Sequence, residues 1–266
     1  MPKVSVVIPC YNQGLYLDDA VDSVLSQTFR DFEIIIVNDG STDEATNLLL
    51  SNFRKPMSRV IHTPNQGLAM ARNRGIGEAT GEYILPLDAD DTIAPTYLER
   101  AVRAMETGPD LGIVYCKAET FGAVTGPWFA AEYSDRGMLI GNLIFCSALY
   151  RKADWQAVGG YRANMAHGWE DWDFWLSIVE LGRTVHRIPE VLFHYRVKEI
   201  SMAKSLDTAK RVEMHLQVMR NHKDLYIENA RPLLELFYRV SASRPYRLLK
   251  WLGVPRMVAS LFGGGK

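Results

Sequence analysis

The sequence predicts an α/β fold, with a mostly parallel central sheet and helices on both faces. Three observations carry this. Short β-branched, apolar runs recur through the first half, without the polar alternation of a half-exposed strand. Segments with apolar residues at helical spacing separate them. Three of the runs also end in polar clusters, and in open α/β sheets ligands bind outside the carboxyl ends of the strands.

The elements follow in order. Val4–Ile8 is the first strand; beyond Pro9-Cys10-Tyr11-Asn12-Gln13-Gly14, Leu17, Val21, Val24 and Leu25 recur at helical spacing. Phe32–Val37 is the second strand, ending in Asn38-Asp39-Gly40-Ser41-Thr42-Asp43, and a helix follows through Leu48–Leu50. Arg59–His62 is a short strand, and Gly67–Thr80 a helix with Ala and Met on its packing side. Tyr83–Leu87 is a strand, Pro95–Glu106 a helix and Ile113–Cys116 a strand. Strands joined by helical crossovers lie parallel. The clusters Pro9–Gln13, Asn38–Asp43 and Asp88–Asp91 should therefore converge on one crevice.

The second half is less regular. Residues 118–145 are rich in glycine with scattered aromatics and read as loops and short strands; Ser147–Tyr150 is a strand. Gly168–Leu181 is a short helix, and Val185–Ile188 and Leu192–Val197 are two strands. The division expected is one domain over 1–205 and a helical, basic extension over 206–266.

With 266 residues, 47% apolar and 23% charged, the chain can bury a sizeable core. A net charge of −1 gives no footprint for nucleic acid. Residues 231–266, however, hold seven cations against Glu235 alone. That basic segment, with Leu248, Trp251 and Phe262 among its cations, suits a peripheral contact with an anionic membrane. Pro245 and Pro255 interrupt it, so a helical cover for the core or a dimer contact are equal alternatives. Cys10, Cys116 and Cys146 are too few and scattered for a disulfide framework or a Cys-x-x-Cys metal site. Met1-Pro2-Lys3 leads straight into a strand, without a signal peptide, and no apolar stretch approaches the ~20 residues of a membrane span. A cytoplasmic protein, peripheral to the membrane at most, is expected.

The densest signal is Tyr83-Ile84-Leu85-Pro86-Leu87-Asp88-Ala89-Asp90-Asp91, a buried strand ending in three carboxylates within four residues. Like charges this close push one another toward protonation, and a divalent cation with oxygen ligands relieves the conflict. The alternative is a solvated turn in which Asp91 or Thr92 caps the next helix.

Taken together, Val6-Val7-Ile8-Pro9-Cys10-Tyr11-Asn12, Val37-Asn38-Asp39-Gly40-Ser41-Thr42-Asp43, Asn65-Gln66-Gly67, Ala71-Arg72-Asn73-Arg74-Gly75 and Leu87-Asp88-Ala89-Asp90-Asp91 resemble the family 2 glycosyltransferases of the GT-A fold. Val158-Gly159-Gly160-Tyr161 and Glu170-Asp171-Trp172-Asp173 match as well, in family order, over roughly residues 3–200. The resemblance implies a single GT-A domain plus the C-terminal extension. It implies an enzyme that moves a sugar, with inversion, from a nucleotide-sugar to a glycan or lipid-linked acceptor. It assigns Tyr11 and Asp39 to the nucleobase, Asp88 to the ribose, and Pro9, Asn12, Arg72, Asn73 and Ala89 to the nucleotide's surroundings. Asp90 would ligate Mn²⁺ or Mg²⁺ with Asp91 in support. Asp171 would be the base, with Glu170 the competing candidate. His194-Tyr195-Arg196 resembles a family segment over the diphosphate, where Arg196 could pair with phosphate oxygens or equally form a surface salt bridge.

Such transfer needs a hydroxyl made nucleophilic and a diphosphate made a good leaving group. Asp171, at a helix N-terminus, should be ionised at neutral pH. Trp169, Trp172 and Trp175 are spaced three apart; Trp172 and Trp175 are expected to pack, and Trp169 is the better candidate for stacking on an acceptor sugar. Uridine is the favoured base, because a carboxylate accepts its N3–H. A sugar-phosphate nucleotidyltransferase is the rival enzyme, but the Gly-rich, Arg-containing loop after its first strand has no counterpart here. A non-catalytic nucleotide-sugar or glycan-binding module is the other alternative.

Overall fold

The computed structural model describes residues 1–128, 131–198 and 207–242. One compact unit spans Met1–His222, and a second begins at Lys223. The first unit is built on a sheet of nine described strands: β1 (Val4–Cys10), β2 (Phe32–Asp39), β3 (Ser58–Thr63), β4 (Tyr83–Pro86), β5 (Thr92–Ile93), β6 (Leu111–Gly122), β7 (Gly126–Trp128), β8 (Leu149–Arg151) and β9 (Thr184–Val197). Their order is β3-β2-β1-β4-β8-β6-β9-β5, with β7 beside β6.

Strands β3, β2, β1 and β4 run parallel, as the crossover pattern predicts. The apolar runs of β1 and β2 are buried almost throughout, because helices cover both faces. The crossovers are α1 (Gly14–Leu25), α2 (Glu44–Ser51) and α3 (Leu68–Glu78), followed by α4 (Tyr97–Met105). Helix α3 lies close on the sheet because Gly75 has no side chain: a Cβ there would meet Val7 Cγ1 at 2.4 Å. The sheet changes direction at β8, which is antiparallel to both β4 and β6, while β6 and β9 pair in parallel.

Two expectations for the second half are corrected. The four-residue strand Ile113–Cys116 is the middle of a twelve-residue strand. The two strands around 185–188 and 192–197 are one, β9. Its ladder with β6 jumps from Cys116↔Ile188 to Lys117↔Val191, passing over Pro189, which has no N–H to contribute.

The remaining helices of this unit are α5 (Asp135–Met138), α6 (Lys152–Val158), α7 (Glu170–Glu180) and α8 (Thr208–Asn221). Trp172 and Trp175 anchor α7 in the core, as expected. Both are buried, and their indole N–H groups donate to the Met138 and Ile144 carbonyls. Asp173 ties α7 to the chain after it. Burial pushes its carboxyl up, but bonds from His222, Asn221 and Arg162 outweigh that and hold it below the usual range.

In the second unit the described helices are α9 (Lys223–Glu228) and α10 (Ala230–Ala242). Most of the basic, apolar segment considered for a membrane contact lies beyond residue 242, outside the described residues. No helix among the described residues is long and apolar enough to cross a membrane.

Candidate active site

Strand β1 has neighbours on both sides that follow it in sequence, β2 and β4. This is the switch point at which an open α/β sheet leaves a crevice beyond its carboxyl ends. A cavity of about 620 Å³ opens there. The end of β1 and the residue after it bring Pro9, Cys10 and Tyr11 to it, the end of β2 brings Asp39, and the turn after β4 brings Asp88, Ala89 and Asp90. The N-terminus of α7 adds Trp169, Glu170 and Asp171 to its lining.

Each acid is held differently. Asp39 accepts the backbone N–H groups of Gln66 (3.0 Å) and Gly67 (2.9 Å), fixing the loop that starts α3. Gly67 meets that demand at φ 86°, a conformation natural to glycine. Asp88 accepts from Arg72 Nη2 at 2.7 Å, and the other arm of the same buried guanidinium donates to Glu170. Arg72 thus joins the turn after β4 to the first residue of α7. Asp90 accepts from Lys198 Nζ at 2.6 Å. Burial and the Asp88 charge raise its carboxyl above the usual range, with Lys198 pulling the other way.

Asp171 meets Asn142 Nδ2 at 3.0 Å and its neighbour's N–H, that of Trp172, at 2.8 Å. Burial and the adjacent Glu170 charge push its carboxyl up to about 7, against the pull of Arg72. The expectation of a plainly ionised Asp171 is therefore corrected: the helix N-terminus is outweighed by desolvation and a like charge. Just before it, Trp169 holds φ 63°, a strained value for a bulky side chain. Its ring meets Trp172 and His215 edge-on at 5.6 and 5.0 Å.

The model of glycosyl transferase family 2 matches residues 5–165. The chain belongs to that family. The family 2 chain is 39% identical over 137 residues to the uncharacterized glycosyltransferase YibD of Escherichia coli K12, an alignment covering 50% of this chain and 39% of that relative's length. Its fold is that of S. aureus TarS in complex with UDP-GlcNAc (TM-score 0.65, 21% identity, covering 82% of this chain and 64% of that one). It is also that of the Pyrobaculum calidifontis mannosyltransferase PcManGT in complex with GDP-Man and Mn²⁺ (TM-score 0.58, 17% identity, covering 99% and 88%). The GT-A expectation for the fold holds.

Not every residue expected in the site of the family 2 chain faces the crevice. Asn12, at φ 54°, bridges loops by accepting from Thr42 N (2.8 Å) and Asp43 N (2.9 Å). Asn73 is spent on the turn after α6, accepting from Trp155 Nε1 and Tyr161 N and donating to the Tyr161 carbonyl. Asp91 is buried beneath the crevice. One oxygen accepts from Arg196 N at 2.8 Å, and Oδ2 has no hydrogen-bond partner among the described residues. Glu170 is turned onto Arg72, which leaves Asp171 as the acid directed away from that bridge.

His194 and Arg196 are placed off the crevice. His194 pairs with Glu119 at 2.8 Å. Arg196 donates to the Asp90 carbonyl and to Asp19, and lies over Phe121 at 4.3 Å. Tyr195 and Lys198 line the crevice instead. Strand alternation puts residue 195 opposite 194 and 196, so that much was readable from the sequence.

Whether these residues suit a divalent ion can be judged from the donors. Ligand atoms of Asp88, Asp91 and Cys146 lie within 4.8 Å of one another, and Oδ2 of Asp91 has no hydrogen-bond partner among the described residues. Burial and the charges of Asp88 and Asp90 raise the Asp91 carboxyl well above its usual range, the conflict a cation would relieve. The acid cluster therefore fits a hard divalent ion. The grouping differs from the expected Asp90 with Asp91, since Asp90 points to Lys198.

Proposed function

We propose that the chain is an inverting glycosyltransferase taking its sugar from a nucleoside-diphosphate donor, UDP-linked by preference. The observation that carries this is a single crevice lined by two kinds of acid: strand-end carboxylates suited to a nucleotide and a cation, and Asp171 on a helix N-terminus. Asp39 and Tyr11 would receive the base, with Pro9 and Ala89 lining its place. Asp88 would meet the ribose, held in position by Arg72.

Mn²⁺ or Mg²⁺ would be held by Asp88 and Asp91, with Asp90 next to them in the same turn, and when bound it supplies charge neutralisation to the departing diphosphate. Asp171 takes the proton of the attacking acceptor hydroxyl, while Asn142 and the Trp172 N–H orient its two oxygens. Trp169 would flank the acceptor at the same helix entrance. The acceptor is a hydroxyl of a glycan or of a lipid-linked saccharide, and Asp171 must reach it from the face opposite the leaving group.

A thermal-shift screen of UDP, GDP, dTDP and CDP, each with and without Mn²⁺, tests the donor half. Ligand at a hundredfold excess over Kd stabilises the native state by ~2.7 kcal/mol, which is a readily measured rise in melting temperature. One nucleotide should give a metal-dependent rise. Folded protein that responds to none of the four would remove the donor assignments.

The base half makes a separate statement. Asp171 works as a carboxylate and is idle when protonated, so kcat/KM should fall as pH is lowered through about 7. A limb near the ordinary carboxylate value of about 4 would mean that another group, or a solvated Asp171, accepts the proton.

A further inference from the structure

The crevice is not uniform in charge. The acids that line it are Asp39, Asp88, Asp90, Glu170 and Asp171, and the Lys and Arg side chains are Arg72, Lys198, Lys117 and Arg187. Arg72 is matched to Asp88 and Glu170, and Lys198 to Asp90. Lys117 and Arg187 have no carboxylate within ion-pair distance among the described residues. They stand on β6 and β9, with β8 between those strands and β4, whose following turn carries Asp88 and Asp90.

A further observation marks this wall as a place for a ligand. Tyr115, directly opposite Arg187 in the β6–β9 register, is buried, and the Arg187 guanidinium is a neighbour of its hydroxyl. Beside it runs an aromatic surface. Trp128 meets Tyr195 at 4.7 Å, and Phe145 stacks on Phe193 at 4.3 Å, all four lining the same cavity. Aromatic faces receive the apolar faces of sugar rings, while an open guanidinium fork and an ammonium receive a carboxylate or phosphate.

We propose that the acceptor is an anionic saccharide, its ring laid on the Trp128–Tyr195 wall and its carboxylate or phosphate held by Arg187 and Lys117. This rests on the transferase reading, since it assigns the end of that crevice left over by the donor. It sets the class of acceptor: a glycan bearing uronate groups or phosphates, rather than a neutral chain.

The test uses the full chain saturated with whichever nucleotide raises its melting temperature. It is titrated with 4-nitrophenyl β-glucuronide, 4-nitrophenyl β-glucoside and 4-nitrophenyl β-glucoside 6-phosphate, followed by calorimetry. One or both anionic probes should bind about ten-fold more tightly than the glucoside, as expected of a charge-assisted bidentate contact. The tighter of the two identifies carboxylate or phosphate as the natural group. In Lys117→Ala/Arg187→Ala the preference should vanish while the nucleotide shift persists. Lys117→Glu, a change at an exposed position, should reverse it without risk to folding. Equal binding of the three probes, no binding of either anion, or a preference that survives the substitutions overturns the proposal. Loss of the nucleotide shift in the double variant also overturns it, because the cations would then serve the donor. No nucleotide shift in the unaltered chain would instead sink the reading on which it rests.

Discussion

Asp171→Asn should lower the transfer rate by ~10²–10⁴-fold while leaving nucleotide binding intact. The amide keeps the shape of the carboxylate and its place at the start of α7, but cannot accept a proton from the attacking hydroxyl. Nucleotide binding survives because the strand-end acids are anchored independently, Asp39 by the Gln66 and Gly67 N–H groups and Asp88 by Arg72. The two readouts are turnover of a nucleotide-sugar and the nucleotide-induced rise in melting temperature. A variant that turns over at the unaltered rate would exclude Asp171 as the base. Glu170→Gln separates the neighbours: Glu170 is buried on Arg72, so its loss should weaken the fold more than the chemistry.

The convergence of the strand-end acids was legible in the sequence because its geometry is local. A buried strand followed by a polar turn fixes where the turn's side chains emerge, and three such turns on parallel strands must meet. Asp39, Asp88 and Asp90 were found that way. Asp171 was singled out by the resemblance, with the helix start beside it as a local signal; the elevation of its pKa was not legible, since burial and the approach of Glu170 depend on packing that no spacing encodes. Asn12 and Asn73 were read as binding residues because they sit inside matching motifs. On a helix, though, successive side chains point about 100° apart, so Arg72 facing the crevice turns Asn73 toward Tyr161. Period two in the same way turns His194 and Arg196 off the crevice, Arg196 onto the surface salt bridge with Asp19 that was its alternative, and leaves Tyr195 lining it. Lys117 and Arg187 come to line one cavity through the long β6–β9 pairing. Its length was hidden because Pro189-Glu190 reads as a break between strands, and the ladder absorbs it as a bulge.

Arg72→Met should destabilise the protein by about 3–5 kcal/mol, the cost typical of removing one partner from a buried ionic group. The side chain is nearly inaccessible and bridges two acids that no other described cation pairs with, Asp88 on the donor side and Glu170 at the head of α7. Methionine fills much of the volume, so the loss reports charge rather than a cavity. Chemical denaturation measures it, and a change of midpoint at constant slope separates it from altered compactness. A second effect follows from the same geometry. Arg72 is a positive charge acting to lower the Asp171 pKa, so its removal should move the lower limb of the kcat/KM profile above about 7. At neutral pH the variant would then be slower in part because its base is protonated, and raising the pH should restore some of the rate. Arg72→Lys keeps a charge but cannot span both acids with one ammonium, so it should recover the pH limb better than the stability. If Arg72→Met proved as stable as the parent with an unmoved limb, the bridge between donor turn and base helix would have no energetic meaning.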